Sequence, residues 1–315
     1  MKKYKKILSC ILVNVFFLFL IIVFFEIFTY GIDYFRFNLQ HYRFGNKYNL
    51  QPYNTKIRDF RDSYFQNHRN PNYIRYPSGL NYKSSQPIIL FGCSFTYGTN
   101  LAQEETFASK LSKYTRRPVY NRASGGWSLQ QMVFQLKNDP DLDVIKNPKV
   151  IIYTIIPDHI NRLYSRSYFN YQDSFNLIYE NKDNKLIEKK PKIKALYNLY
   201  SYRFITRCFS VWKNTNKYNE NFDFMKLHFK VAKMIAADKY PNAKFVILKY
   251  EYGPKSWYIN TPRWKELEQD GFIIFDANEL SQVDLGNEEY RLFDGHPSGN
   301  AWDKIVPPLA KKLGI

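Results

Sequence analysis

Three groups in the sequence could together carry out acyl-group chemistry. Ser94 stands in Phe91-Gly92-Cys93-Ser94-Phe95-Thr96-Tyr97-Gly98, a glycine-flanked segment that follows the apolar run Pro87-Ile88-Ile89-Leu90. A serine there falls on a sharp strand-to-helix turn, where glycine relaxes the backbone and a helix start offers free N–H groups to an oxyanion. About 200 residues later, Asp294-Gly295-His296-Pro297 supplies a carboxylate and an imidazole one residue apart. A serine hydroxyl is too weakly acidic to attack an ester at neutral pH unless an imidazole removes its proton. A carboxylate then fixes the ring tautomer and stabilises the imidazolium. Taken singly, Ser94 has a plainer reading as a helix N-cap and His296 as a turn residue.

Positioning such groups requires a scaffold, and the pattern around them supplies one. Pro87 to Phe91 reads as a buried strand, and Glu104 to Tyr114 has helical spacing through Phe107, Leu111 and Tyr114. Pro118 to Asn121 is a short strand, and Ser128 opens a helix that it caps. Lys149 to Ile156 is β-branched without polar alternation, as in a strand buried on both faces. After an irregular stretch at residues 164–218, the alternation resumes. It gives a helix at Phe224 to Ala237, a strand at Lys244 to Leu248, a helix at Pro262 to Gln269, a strand at Phe272 to Phe275 and a last helix near Ser298. Strands alternating with helices predict an α/β fold in three layers, α/β/α, around a mostly parallel sheet, with sites at the carboxyl ends of the strands.

The blocks Gly92-Cys93-Ser94-Phe95-Thr96-Tyr97-Gly98, Asn121-Arg122-Ala123-Ser124-Gly125-Gly126 and Asp294-Gly295-His296-Pro297, in this order and spacing, resemble the SGNH/GDSL hydrolase superfamily over residues 85–315. The resemblance implies a flavodoxin-like sheet, Ser94 as nucleophile, His296 as general base and Asp294 as the orienting carboxylate. It implies the N–H groups of Ser94 and Gly125 as oxyanion donors. The chain departs from the family at two places. The aspartate usual before the serine is Cys93, and the asparagine expected after the third strand is replaced by Pro157 or Asp158. Proline has no N–H and an ionised Asp158 would repel an oxyanion, so His159 or Asn161 just beyond are candidate substitute donors. A cysteine nucleophile at Cys93 is the alternative to Ser94, although a free cysteine is more often a small buried hydrophobe.

Charge and hydropathy bear on where this chemistry would take place. The net charge is +18, and the first six residues supply four lysines. No arginine-rich block or nucleic-acid motif accompanies that charge, so no nucleic-acid partner is expected, whereas anionic lipid or acidic envelope polymer suits it. Ile7 to Phe25 is a nineteen-residue run interrupted only by Ser9, Cys10 and Asn14. That length spans a bilayer, and no small-residue cleavage site follows it. The expectation is an uncleaved single-pass anchor in the inner membrane through residues 7–28, with the lysines cytoplasmic and the remainder extracytoplasmic. Residues 1–29 would form the lysine cluster and anchor, 30–84 a connector packed on the domain, and 85–315 the catalytic domain with an insertion at 164–218. Three cysteines exclude a disulfide framework. His41, His68 and His228 have no ligand grouping around them, so neither metal nor cofactor is expected.

The expected activity is that of a membrane-anchored serine esterase or acyltransferase acting on acyl esters, acetyl above all, of an envelope glycan, beside envelope-polymer machinery. A lipid esterase, and a catalytically degenerate domain that binds glycan or scaffolds an envelope assembly, are the competing expectations.

Overall fold

The computed structural model describes residues 14, 16–17, 19–28, 31, 78, 86–164, 179–188, 217–251 and 257–315. Most of the expected connector, and most of the insertion, lie outside these residues. Five strands form one sheet: β1 (Ile88–Phe91), β2 (Val119–Asn121), β3 (Val150–Ile155), β6 (Lys244–Lys249) and β7 (Ile273–Asp276). Their order is β2-β1-β3-β6-β7 and every pairing is parallel, which matches the expected sheet.

Alternation along the strands divides the core into two halves. Ile89, Phe91, Ile151, Tyr153 and Ile247 face one side, against Leu129, Phe134, Phe222 and Phe229. Ile88, Leu90, Ile152, Val246 and Leu248 face the other, against Phe107, Leu111, Trp302 and Ile305. Successive side chains of a strand point to opposite faces, so strands that are apolar throughout need helices on both sides. The helices Leu129–Asn138 and Tyr218–Lys239 cover the first face, and Phe107–Thr115 and Gly299–Leu313 cover the second. All six residues of β3 are buried, as befits the central strand.

Helix starts follow the local chemistry. The Thr106 side chain accepts from the Ser109 N–H at 3.2 Å, and the Gln131 side chain accepts from the Ser128 N–H at 2.8 Å. Each such cap stabilises by about 1 kcal/mol by satisfying a donor that the helix leaves orphaned. The irregular stretch contains an antiparallel hairpin of β4 (Tyr179–Lys182) and β5 (Lys185–Glu188). Its turn residues Asp183 and Asn184 have φ of 53° and 58°, a two-residue loop of the kind that suits strand twist.

Residues 19–28 are helical, and Phe24, Phe25, Ile27 and Phe28 are exposed. Among the described residues, no helix is long and apolar enough to cross a membrane.

Candidate active site

The strand order places β1 between β2 and β3, with Leu90 level with Asn121 and Phe91 level with Tyr153. The loops leaving these three carboxyl ends therefore converge, and Ser94, Gly125 and Asp158 lie on them. Gly92 makes the first turn feasible. Its φ is 153°, and a Cβ there would stand 2.3 Å from Thr96 Oγ1 and 3.2 Å from the Thr154 carbonyl. Only glycine fits so close a backbone approach. Ser94 then opens the short helix Ser94–Tyr97, which Gly98 closes in the left-handed conformation.

The neighbouring loops hold this turn in place. Asn121 at the end of β2 donates from Nδ2 to the Thr96 carbonyl at 2.9 Å, and its Oδ1 accepts from the Ala123 N–H at 3.2 Å. Arg122 is buried against Asp139, and Gln135 donates to the Arg122 carbonyl at 3.2 Å. The chain then turns through Gly125 and Gly126, and a Cβ on Gly125 would point into open space. Among the described residues, neither the Ser94 nor the Gly125 N–H has a main-chain acceptor.

Asp294 and His296 reach this edge because the helix Gly299–Leu313 packs on Phe107–Thr115. Trp302 stacks on Phe107 with centroids 4.5 Å apart, and Lys110 pairs with Asp303 at 2.8 Å. The loop before that helix is a compact turn in which the Leu292 N–H donates to the His296 carbonyl at 2.7 Å. Asp294 Oδ1 accepts from the His296 N–H at 3.1 Å, and Oδ2 lies 2.9 Å from His296 Nδ1. That second contact is close but falls short of in-line hydrogen-bond geometry. The His296 ring packs on Phe95, the residue after Ser94, with centroids 5.1 Å apart. Asn100 donates from Nδ2 to Asp294 Oδ2, which links the serine turn directly to the carboxylate. Burial alone would raise the Asp294 carboxyl, but the His296 ring and N–H and the Asn100 amide hold it below the usual carboxylate range.

The candidates around the missing amide are redistributed. Asp158, in the first turn of the helix Pro157–Tyr164, pairs with Arg162 at 3.3 Å and is not a bare charge facing the site. His159, a candidate substitute donor, is wholly buried, with Nδ1 2.8 Å from the Tyr153 hydroxyl. Burial, followed by the nearby Arg162 charge, holds its imidazole well below the ordinary range and hence neutral. The side chain of Asn161 lies outside the described residues. Cys93 is fully buried, and burial pushes its thiol up against the pull of Arg162. A neutral, solvent-shielded thiol is a poor nucleophile. Among the described residues, no group of three or more His, Cys, Asp or Glu side chains could hold a metal ion.

Two participants escaped sequence reasoning. Asn100 contacts a residue 194 positions away, and Arg162 resembles any helical arginine until its burial is seen. The i, i+4 spacing of Asp158 and Arg162 was the one signal available for the latter.

No protein-family model matches the chain, and no curated protein sequence matches it. Solved structures show a distant likeness. A carbohydrate esterase family 2 enzyme with a carbohydrate-binding domain from Corynascus thermopiles aligns at TM-score 0.44 and 11% identity, over 73% of this chain and 66% of that one. A psychrotrophic esterase from Pseudoalteromonas sp. aligns at TM-score 0.41 and 12% identity, over 73% and 97%. A member of the lipolytic G-D-S-L family from Veillonella parvula aligns at TM-score 0.39 and 11% identity, over 72% and 97%. At this distance the chemistry of the chain has to be derived from its own residues.

Proposed function

We propose that the chain is a serine hydrolase or O-acyltransferase of SGNH type that acts on acyl esters. The observation that carries this reading is the Asp294–His296 pair seated on Phe95, beside Ser94, at the carboxyl edge of a parallel sheet. In the proposed mechanism, His296 removes the Ser94 proton as Oγ attacks the acyl carbonyl. The oxyanion is met by the Ser94 and Gly125 N–H groups, and His296 returns the proton to the departing alcohol. Asp294 holds the ring and balances the imidazolium charge. Water or a sugar hydroxyl then resolves the acyl-enzyme, which separates hydrolysis from transfer.

The proposed setting is the outer side of the inner membrane, with residues 7–28 as anchor and an acetylated envelope glycan as substrate. The apolar run after four lysines, and the exposed Phe16, Phe17, Phe24 and Phe28, support the anchor. The positive net charge suits an acidic polymer. A glycan-binding domain without turnover is the second reading, favoured by Asp158 where the family places an asparagine.

A fluorophosphonate probe distinguishes them. The full chain should be labelled, and Ser94→Ala should abolish labelling. A folded chain that resists the probe would favour the binding reading. Acetyl release from envelope polymer, compared with and without the active chain, tests the substrate.

A further inference from the structure

Between the loop after β2 and the helix after β3 lies a buried cation that the triad does not use. Arg162 extends from the helix after β3, and its side chain is 7% exposed. Nη1 donates to the Trp127 carbonyl at 2.9 Å, two residues beyond Gly125 in the loop after β2. Nη2 donates to Asp158 at 3.3 Å. The guanidinium charge also draws on the buried thiol of Cys93, the residue before Ser94. One planar group therefore ties the loop after β2 to the helix after β3, and its charge is felt in the turn after β1.

We propose that Arg162 is the positioning residue of the oxyanion site, doing the work of the missing side-chain amide. Its fork fixes the Gly125–Trp127 turn against the helix after β3, and its charge adds a positive potential beside the serine turn. Both effects are larger in a water-poor site, where preorganised donors need no rearrangement as the reaction proceeds. A lysine could supply the charge but not the fork, because its ammonium is a point charge on a flexible stem. Arginine buried against one partly exposed carboxylate is otherwise a costly feature for a fold to keep. The assignment rests on the hydrolase reading above and extends it.

The test uses the full chain with Arg162→Gln and Arg162→Lys, and Ser94→Ala as the inactive reference. Three quantities are measured: kcat and KM on p-nitrophenyl acetate, the rate of fluorophosphonate labelling, and inhibition by a trifluoromethyl ketone, whose adduct carries the oxyanion. For Arg162→Gln, kcat and labelling rate should fall by about 30- to 100-fold, KM should stay within about threefold, and ketone affinity should fall in parallel with kcat. Arg162→Lys should lose about 3- to 10-fold in both kcat and ketone affinity, and it decides the matter if the glutamine variant does not fold. A purely structural role would lower Tm and the fraction of protein labelled, while each labelled site kept the parent kcat and ketone affinity. That result overturns the proposal, as does a lysine variant equal to the parent. If Ser94→Ala abolishes labelling but the Arg162 variants react like the parent, only the Arg162 assignment falls. A folded parent that neither reacts with the probe nor cleaves the ester removes the hydrolase reading and this one with it.

Discussion

Acid should weaken the fold through one histidine remote from the chemistry. His228 is fully buried on the helix Tyr218–Lys239, its ring edge-on to Phe224 at 4.5 Å and to Tyr179 at 5.9 Å between centroids. Nδ1 lies 2.9 Å from the Phe224 carbonyl. A carbonyl only accepts, so Nδ1 carries the proton and Nε2 keeps the lone pair of the neutral ring. Among the described residues Nε2 has no partner. Protonation would place a charge and an unmatched N–H among aromatic rings. Burial accordingly lowers this imidazole to about 4, against the opposing pull of the Phe224 carbonyl.

The sign and size follow by linkage. An unfolded histidine titrates near 6.5, so between pH ~6.5 and ~4 the unfolded chain binds a proton that the folded chain refuses. Stability is therefore full above pH ~6.5 and falls as pH drops through that window, by about 1.4 kcal/mol per pH unit and about 3 kcal/mol in all. That is a large part of the ~5–15 kcal/mol of a typical domain. Urea unfolding followed by circular dichroism, at several pH values across the window, measures it in the parent and in His228→Leu. His159 and the carboxylates titrate in both chains and cancel in the difference. The parent should lose about 2–3 kcal/mol more than the variant; parallel curves would refute the reasoning.

Two further outcomes concern the site. Asp294→Asn keeps the shape but removes the charge beside His296, so kcat should drop about a thousandfold or more with KM little changed, and a loss below tenfold on steady-state kinetics would contradict the assigned role. Cys93→Ala should leave kcat within about fivefold at a stability cost of about 1 kcal/mol, because the thiol is buried and neutral; a loss as complete as that of Ser94→Ala would make the sulfur the nucleophile.

What could be read from the sequence was whatever depends on near neighbours. β3 is plain because Val150 to Ile155 run without polar alternation and are mostly β-branched, and the Ser128 cap because Gln131 follows three residues on. The Asp294–His296 contact spans only one intervening glycine. Long-range packing was out of reach. Nothing around Asn100 announces a partner on the last loop, and nothing around Arg162 announces its burial or its bond to the Trp127 carbonyl. For His159, sequence position cannot say which face of a helix start turns inward, and here the ring turns onto Tyr153. The Asp183-Asn184 turn was legible in principle, since asparagine and aspartate tolerate positive φ, but the lysines around it masked the short strands.

The two departures from the SGNH pattern also make sense together. In the family this chain resembles, the residue before the serine is a carboxylic acid and the residue after the third strand carries a neutral amide. Here the polarity is exchanged: Cys93 is neutral, and Asp158 supplies the carboxylate. The Arg162 charge bears on both positions, pairing with Asp158 and drawing the Cys93 thiol down against the stronger effect of burial. An aspartate at 93 would add a second carboxylate to the same guanidinium and draw it away from the Trp127 carbonyl. Like charges so placed repel, and one of them would take up a proton. Each departure is damaging when read alone, the first removing an acid from the serine turn and the second setting an acid beside the proposed oxyanion position. Joined through Arg162, they set a neutral thiol and a paired carboxylate around one buried cation, the arrangement that the proposed acyl-transfer site would use against a developing oxyanion.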